Sequence, residues 1–569
     1  MHFGSIRFPR RHRTLLTWCV VLIAFIWASS ADAARESLRA RLEAGAVDAA
    51  ARHVVERELH AAAINYFYAE RDFRPLWVDG DAAGAKAAAL LAALGDAASD
   101  GLDPAAYAVP AVDAGADEAA LADFEITLSL TLIRYASDLA TGRFSPKKKV
   151  PEQHIVPQAL DPLDILAGAA EADDIDAYLR GFAPPHPEYA RLRAALAAYR
   201  DLQAAGGWPT LPDGPALKPG MADERVALLR RLLAQSGDLA IAAGPARRTP
   251  ELERSALMPA SLDVDGASAD PQRFDPALRQ AVERFQRRHG LDVDGVVGRD
   301  TMAALNVPVR ERIDQIVLNM ERWRWMPRDL GDTHVLVNMA GFELDFVEDR
   351  RPVLSMRVVV GAPYQKTPVF SDTITYLEFN PYWNIPYSIA SKEILPLVQR
   401  DPGYLTDRGI RVFSGSGPNA AELDPWYIDW WSITPRTFPF RLRQDPGRSN
   451  PLGRVKFMLP NKFAVYLHDT SSPALFQRAV RTFSHGCIRV EKPAELALRL
   501  LRHNPGWDLE RIQSAMASGS RRIVSLKKPV PVHLTYITAW AQDDGTIHFR
   551  NDVYGRDSLL FKVLSSHSG

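Results

Sequence analysis

The residues with the clearest capacity for chemistry lie around one cysteine near the end of the chain. The run Ser484–Arg489 reads Ser-His-Gly-Cys-Ile-Arg, and a further histidine, His468, precedes it. The other cysteine, Cys19, lies in an apolar N-terminal stretch. A lone thiol in an exported chain is either a small buried apolar group or a reactive nucleophile. The two neighbouring histidines favour the nucleophile at Cys487.

Alternating apolar residues predict that two short strands position these groups. The run Phe463–His468 alternates in a way that predicts a half-buried strand with Tyr466 and His468 on one face. The run Cys487–Val490 alternates too, and places the thiol and Arg489 on one side. The thiol is therefore expected at the start of a strand, not within a core.

These groups are expected to perform nucleophilic acyl transfer. A neighbouring imidazole can hold a cysteine as a thiolate in an ion pair, and both His485 and His468 are candidates. His468 comes from a separate strand, which suits a base that must also reach a leaving group. The backbone N–H groups of Gly486 and Cys487 are the expected oxyanion donors.

The segment resembles the signature of the YkuD-type L,D-transpeptidases, which is a histidine, a spacer, Ser-His-Gly-Cys, an apolar residue and then Arg or Asn. All these positions are filled here. The resemblance implies that Cys487 is the nucleophile and that His468 accepts and returns the proton. It also implies that Ser484 and Arg489 contact the substrate or support the site. One departure is Asp469, where many members have glycine.

Length and composition indicate several globular domains. A chain of 569 residues predicts three or four units, at about 100–200 residues per domain. The net charge of −1 and the pI near 6.9 give no sign of nucleic-acid binding. Residues 1–33 are typical of a secretory signal, with arginines, an apolar core and an Ala-Asp-Ala cleavage site. We therefore expect a periplasmic protein. The alternative is an uncleaved leader that keeps it at the membrane.

Two helical units are expected before the catalytic region. Residues 35–216 form an alanine-rich scaffold that resembles the N-terminal part of large L,D-transpeptidases, and its aromatics are expected to pack between helices: Tyr66, Tyr68, Phe73 and Trp77. Residues 217–306 resemble the small three-helix peptidoglycan-binding domain, with helices opening near Asp223, Asp275 and Asp300. An insertion at about 237–272 interrupts the second unit. The alternative is a bundle that no longer binds its ligand.

The catalytic domain is expected at residues 333–526, as a mainly β structure. The resemblance implies that a lid is inserted at about 384–449. The lid is rich in aromatic residues, most of which are expected to fill its own core: Trp426, Tyr427, Trp430 and Trp431. Trp383, Tyr466 and His485 are expected to contact the substrate. Residues 527–569 are expected to add a β-hairpin.

Together these features predict a multidomain α+β protein. The resemblance implies a peptidoglycan transferase that releases D-alanine and forms 3→3 cross-links through a cysteine acyl-enzyme, with peptide stems as substrates and other cell-wall synthesis enzymes as partners. Alternatives are an L,D-carboxypeptidase, a transferase that attaches lipoproteins, or a wall-binding scaffold without activity. No cofactor is implied. The remaining histidines lack metal-ligand spacing, so no metal site is expected.

Overall fold

A computed structural model describes residues 32–47, 54–113, 115–239, 270–415, 417 and 420–566. Nearly all of the expected signal sequence and most of the expected insertion at 237–272 lie outside these ranges. The described chain is helical up to about residue 325 and mainly β after it. The expectation of a multidomain α+β protein is confirmed.

Helices dominate the scaffold region, together with one short hairpin of strands β1 (Val78–Asp79) and β2 (Ala82–Ala83). Its main helices are Val54–Glu70, Ala85–Gly95, Glu118–Thr141, Pro162–Glu171, Ile175–Arg180 and Pro187–Ala204. The buried Glu125 accepts hydrogen bonds from the backbone N–H groups of Trp77 and Val78 and from the Tyr68 hydroxyl. Burial confirms the packing expected of Tyr68 and Trp77, whereas Tyr66 is 55% exposed and the prediction for it is wrong.

The second helical unit contains the three expected helices, at Arg225–Gln235, Pro276–Arg288 and Arg299–Leu305. Asp275 caps the middle helix because its carboxylate accepts the N–H of Leu278 at 2.8 Å. The helices enclose a small apolar core of their own: Leu217, Val226, Leu229, Leu233, Phe274, Leu278, Val282, Phe285, Val297 and Leu305. A sequence of local caps and apolar spacing therefore suffices to specify this unit.

Fifteen further strands follow in the described residues: β3 (Thr333–Asn338), β4 (Glu343–Glu348), β5 (Arg351–Gly361), β6 (Phe370–Phe379), β7 (Trp383–Asn384), β8 (Ile410–Phe413), β9 (Glu422–Leu423), β10 (Arg441–Gln444), β11 (Val455–Met458), β12 (Leu467–His468), β13 (Thr482–Ser484), β14 (Ile488–Val490), β15 (Arg522–Thr535), β16 (Ala539–Ala541) and β17 (Ile547–Phe549). Nine of them form one sheet in the order β13-β5-β14-β12-β11-β6-β15-β3-β4. Because β4 also pairs with β5, the sheet closes on itself and protects its edges.

The large apolar core of this sheet also contains two helices from earlier in the chain. The helix Pro187–Ala204 contributes Tyr189, Leu192 and Leu196, and the helix Val309–Trp325 contributes further buried side chains. The first of these was expected to belong to the scaffold at 35–216, and the second was not predicted. Both pack against the β structure because their apolar faces are continuous with its core. The helices Pro493–Leu500 and Leu509–Ala517 pack on the same core.

The lid is a small α/β unit with its own sheet, in the order β7-β10-β8-β9. Its helical segment runs through Tyr387–Ile389, Ala390–Ile394 and Leu395–Arg400, followed by Gly403–Asp407. The expectation that its aromatics fill the core is correct for Trp430 and wrong for three others, whose exposed fractions are 62%, 90% and 77%: Trp426, Tyr427 and Trp431. Aspartate-capped turns direct these rings outwards, while mainly aliphatic residues fill the core.

The C-terminal region differs from the expected hairpin at 527–569. The boundary at 526 falls inside β15, which pairs with β3 and β6 and is part of the main sheet. The hairpin itself is β16 and β17, and the chain ends in a helix, Arg556–Ser565, that was not predicted. The pairing of β15 with β6 shifts register between Ser525 and Val530, and the exposed run Lys527–Pro529 in this interval looks like the end of a strand, although β15 continues through it.

The helical module is fixed to this C-terminal hairpin by buried contacts. Arg288 donates to the carbonyl of Ile547 at 3.3 Å, and Arg550 donates to the carbonyl of Arg288 at 2.9 Å. The His289 ring stacks on Phe549 with centroids 5.7 Å apart. The guanidinium of Arg288 is also paired with a buried aspartate of the module. The module and the β region are therefore joined by directional bonds in addition to apolar contact.

Candidate active site

Four polar side chains lie side by side across neighbouring strands of the main sheet. The register places them on β14, β12, β11 and β6 in the order Arg489, His468, Lys456 and Glu378, which we call the polar row. Residues directly opposite one another share a face of a sheet. The next position on each strand belongs to the other face and is fully buried: Ile488, Leu467, Phe457 and Leu377. Strict alternation on four strands thus produces a polar surface over an apolar core.

His468 is held in one orientation by its own backbone. Its Nδ1 lies 2.5 Å from the carbonyl oxygen of Asp469. A carbonyl can only accept, so Nδ1 donates and a neutral His468 keeps its lone pair on Nε2. The Asp469 carboxylate accepts the N–H groups of Arg454 and Thr470. The side chain of Asp469, the residue that departs from the family signature, therefore shapes the following turn. The backbone carbonyl of the same residue orients the imidazole.

Cys487 is the last residue of a tight turn, residues 484–487, which we call the cysteine turn. The hydroxyl of Ser484 donates to the carbonyl of Cys487 and accepts the N–H of Gly486 at 3.1 Å. Gly486 has φ of 110°, a conformation that favours glycine. Thr367 donates to the Gly486 carbonyl at 2.8 Å. The turn is thus tied at three points, and it presents a half-buried thiol before β14.

The cysteine turn corrects the expectation for Gly486 and favours one of the two roles expected of Ser484. The N–H of Gly486 was expected to bind an oxyanion, but it donates to Ser484 instead. Ser484 itself is buried, with both of its hydrogen bonds directed into the turn, so it shapes the backbone around the nucleophile. Of the two expected oxyanion donors, the N–H of Cys487 is the one that remains a candidate.

The segment before His468 is a loop and not the predicted strand. Residues 461–466, the histidine loop, wrap around Asn461, whose amide bonds the carbonyls of Leu459 and Val465 at 2.6 and 2.7 Å. Its side-chain oxygen accepts the N–H groups of Phe463 and Val465. Ala464 has φ of 54°, which no strand allows. The strand therefore shrinks to β12, because a polar side chain replaces the ladder hydrogen bonds.

The histidine loop also reaches the nucleophile. The Cys487 thiol donates to the carbonyl of Ala464, with Sγ 3.7 Å from the oxygen. The Tyr466 carbonyl accepts the N–H of Ile488 at 3.1 Å. Lys456 Nζ lies 3.7 Å from the centroid of the Tyr466 ring, within cation–π range. The loop, the polar row and the thiol thus form one connected group.

Burial and the flanking cations set the protonation of the two expected catalytic residues. Burial, aided by the nearby guanidinium of Arg489, lowers the pKa of His468 to about 3. Burial raises the pKa of Cys487, while hydrogen bonds from Tyr466 and the charges of Lys456 and Arg489 lower it in part. The expectation of a thiolate–imidazolium ion pair is therefore wrong for the resting site. The resting site therefore holds a neutral thiol and a neutral imidazole, because burial and the two nearby cations oppose protonation of His468.

The other expected site residues are placed unequally. Tyr466 lies between Lys456 and His468, and its ring meets the His468 ring edge-on at 5.7 Å. The His485 ring bonds Glu393 of the lid at 2.7 Å. Trp383 pairs with a lid strand and packs against the lid core, and within the described residues no hydrogen bond or ring contact joins it to Cys487. The substrate contact expected of Trp383 has no support in the structure.

Several residues of the site were not found by sequence reasoning. Lys456 and Glu378 come from strands that looked ordinary, and Thr367 lies in a loop without a motif. Because Lys456 alternates with buried apolar neighbours, the sequence could predict which face of the sheet it lies on. It could not predict which strands pair with β11. Among the described residues, no three His, Cys, Asp or Glu side chains are grouped to hold a metal ion. None of the described helices has the length and apolarity to cross a membrane.

Three regions of the chain match known families. Residues 332–530 match the YkuD "L,D-transpeptidase catalytic domain". Over these residues the chain is similar to that catalytic domain. Residues 260–305 match the "Putative peptidoglycan binding domain", and residues 62–196 match the "Scaffold domain". The resemblances inferred from the two sequence motifs are thus confirmed.

Three individual proteins are similar to parts of this chain. A Haemophilus influenzae protein named "Putative L,D-transpeptidase" is 35% identical over 248 residues, which is 43% of this chain and 48% of that one. This chain therefore matches about half the length of that curated relative. Two solved L,D-transpeptidases are also similar: one from Xylanimonas cellulosilytica (17% identity; 57% of this chain and 99% of that chain) and one from Mycobacterium smegmatis (12%; 36% and 58%). Both have a TM-score of 0.18, which is too low to support a structural argument.

Proposed function

We propose that this protein is a peptidoglycan L,D-transpeptidase that forms 3→3 cross-links between peptide stems and releases D-alanine. The observation that carries the proposal is the pairing of β12 with β14, which places His468 on the strand next to the one that Cys487 precedes. The carbonyl of Asp469 orients the imidazole, and the tied cysteine turn orients the thiol. Nucleophile, base and orienting groups are the parts that acyl transfer requires.

The first half-reaction breaks the bond between the diamino acid at position three of a tetrapeptide stem and its terminal D-alanine. The Cys487 sulfur attacks the carbonyl carbon while its proton passes to Nε2 of His468. The N–H of Cys487 is positioned to stabilise the oxyanion. The C–N bond then breaks, the departing nitrogen takes the proton from His468, and a thioester remains. Because the resting site is neutral, deprotonation of the thiol accompanies attack instead of preceding it.

The second half-reaction joins two stems. The side-chain amine of a second stem forms a C–N bond to the thioester carbon, the C–S bond breaks, and the amine proton returns through His468 to the sulfur. The lid lies against the cysteine turn and limits the access of water to the thioester. The peptidoglycan-binding module raises the local concentration of polymer. The proposed location is the periplasm, where an enzyme reaches peptidoglycan stems.

Mass spectrometry of the protein incubated with disaccharide-tetrapeptide muropeptides tests the proposal. We expect an acyl-enzyme adduct, free D-alanine and a cross-linked dimer, all absent with Cys487→Ala. The His468→Gln variant should acylate about 100-fold or more slowly while retaining the thiol, since a positioned base contributes about 10²–10⁴. Circular dichroism checks that both variants fold. Tripeptide without dimer would indicate an L,D-carboxypeptidase, and products from Cys487→Ala would refute the assigned nucleophile.

A further inference from the structure

The lid meets the cysteine turn through a carboxylate. Glu393 Oε1 lies 2.7 Å from His485 Nε2, and the two side chains remain 51% and 36% exposed, respectively. Glu393 belongs to the π-helical turn Ala390–Ile394, in a helical segment that is otherwise α-helical. Single π turns within helices often occur at functional sites. The carboxylate is therefore held against the residue two positions before Cys487 while it still reaches solvent.

Charge around the nucleophile is divided between its two sides. On the sheet side, Lys456 and Arg489 are close enough to lower the pKa of Cys487. Arg489 Nε is buried without a hydrogen-bond partner among the described residues. On the lid side, the group next to the cysteine turn is the carboxylate of Glu393. Glu378, the fourth member of the polar row, is paired with Arg521, so the sheet side keeps an excess of positive charge. The sheet side therefore suits an anionic ligand group, and the lid side suits a cationic one.

This division matches the two substrates of a cross-linking reaction. The donor stem ends in a carboxylate, which the cations of the sheet side attract. The acceptor stem presents a side-chain ammonium, with an ordinary pKa of about 10.4 for a lysine-like amine. The cations repel it and a lid carboxylate attracts it. Water, the competing acceptor, carries no charge and gains nothing from that carboxylate.

We infer that Glu393 binds the side-chain ammonium of the acceptor stem and thereby favours cross-linking of the acyl-enzyme over its hydrolysis. The inference rests on the proposed function. The Cα atoms of His485 and Cys487 are at most about 7 Å apart, because only one residue lies between them. A long amine side chain bound at His485 and Glu393 can therefore reach a thioester on Cys487. The bound ammonium loses one proton to water. The neutral amine then attacks the thioester carbon, the sulfur leaves with the bonding electrons, and His468 takes the second proton.

Three variants test the inference with tetrapeptide muropeptide as donor and increasing disaccharide-tripeptide as acceptor. Glu393→Gln should form the acyl-enzyme at the wild-type rate but require about fivefold more acceptor for half-maximal dimer formation, the upper range for one exposed ion pair. Its ratio of tripeptide to dimer product should rise accordingly. Glu393→Asp should retain most of the wild-type ratio. Glu422→Gln is the matched control, a lid glutamate 52% exposed and paired with Arg411, and it should leave the ratio unchanged.

Each other outcome overturns the inference in a recognisable way. If Glu393→Gln lowers acylation and both products in proportion, the residue only supports the lid. If its product ratio equals that of wild type, the acceptor amine binds elsewhere. A wild-type protein that forms the acyl-enzyme but only tripeptide refutes cross-linking, and the inference fails with it. A wild-type protein that forms no acyl-enzyme refutes the proposed function itself.

Discussion

The histidine loop and the cysteine turn perform the same task with different residues. Each ends immediately before a short strand, and each is organised by one polar side chain, Asn461 in the loop and Ser484 in the turn. They differ in the residue that takes the positive φ. Ala464 sits at 54°, where a side chain costs some strain, and Gly486 sits at 110°, where L side chains are rarely found. The cysteine turn is therefore more specialised than the histidine loop, which precedes His468.

The largest effect should come from placing a side chain in the specialised turn. Gly486→Ala has room for its Cβ, because the nearest atom is 3.8 Å away, so its effect is on the backbone conformation. A displaced turn should move the thiol and slow acylation by about 100-fold. Acylation kinetics by mass spectrometry measure this. Gly447→Ala is the control, since a Cβ there meets no atom within 4 Å and the backbone is not left-handed. Wild-type acylation by Gly486→Ala would show that the turn tolerates either residue.

The base at the end of the histidine loop should make stability depend on pH. Folded His468 has a pKa of about 3, whereas an unfolded histidine titrates near 6.5. Below pH 6.5 the unfolded state binds a proton that the folded state excludes, so stability is full above pH 6.5 and falls towards pH 3. Relative to His468→Gln, the wild type should lose about 2 kcal/mol of unfolding free energy between pH 6.5 and 5.

Chemical denaturation at several pH values measures this difference. His503→Gln is the control for the loss of a histidine, because His503 is exposed. The acylation rate should show no step near pH 6.5, since His468 stays neutral there. The same pH dependence for wild type and His468→Gln would mean that folding does not lower the pKa of His468.

Removing the organiser of the histidine loop should have a smaller effect. Asn461→Ala deletes hydrogen bonds to two carbonyls and two N–H groups of a partly exposed loop, which should cost about 1–2 kcal/mol of stability and slow acylation. Asn504→Ala is matched, because Asn504 bonds the carbonyl of Ser525 and the N–H of Lys527 away from the site. It should cost stability but leave acylation intact. Equal acylation by the two variants would separate the loop from catalysis.

The smallest effect should come from relieving the strain in the same loop. Ala464→Gly removes a left-handed alanine at a cost in chain entropy, with a net gain of about 0.5 kcal/mol. Acylation should remain within about twofold of wild type, because the Ala464 carbonyl that faces the thiol is retained. Denaturation measures the gain, and a loss of stability would mean that the Ala464 methyl group packs usefully.

The sequence predicted local features better than the geometry that joins several strands. The Ser-His-Gly-Cys motif and His468 identify the two expected catalytic positions because these are local patterns. The three module helices were predicted for the same reason, since the Asp275 cap and the apolar spacing are local. The polar row was not predicted, because its members meet only through the register of four strands.

Two errors show how side chains override periodicity. The alternation Phe463–His468 indicated a strand, but Asn461 satisfies the backbone groups that a ladder would use. The neutral resting pair was missed for a similar reason. The ion pair expected between His468 and the thiol depends on what surrounds the imidazole, and neither the burial nor the flanking Lys456 can be read from the motif.

The buried contacts of Arg288 and Arg550 have a mechanical consequence for an enzyme that works on a polymer. If a flexible linker joined the module to the catalytic region, the active site could reach any stem within the length of that linker. A module joined to the β region by these hydrogen bonds moves with it as one rigid unit. The distance between the point where the module binds the polymer and Cys487 is then fixed. The protein, and not diffusion, would therefore set the spacing of reacted stems along a glycan chain.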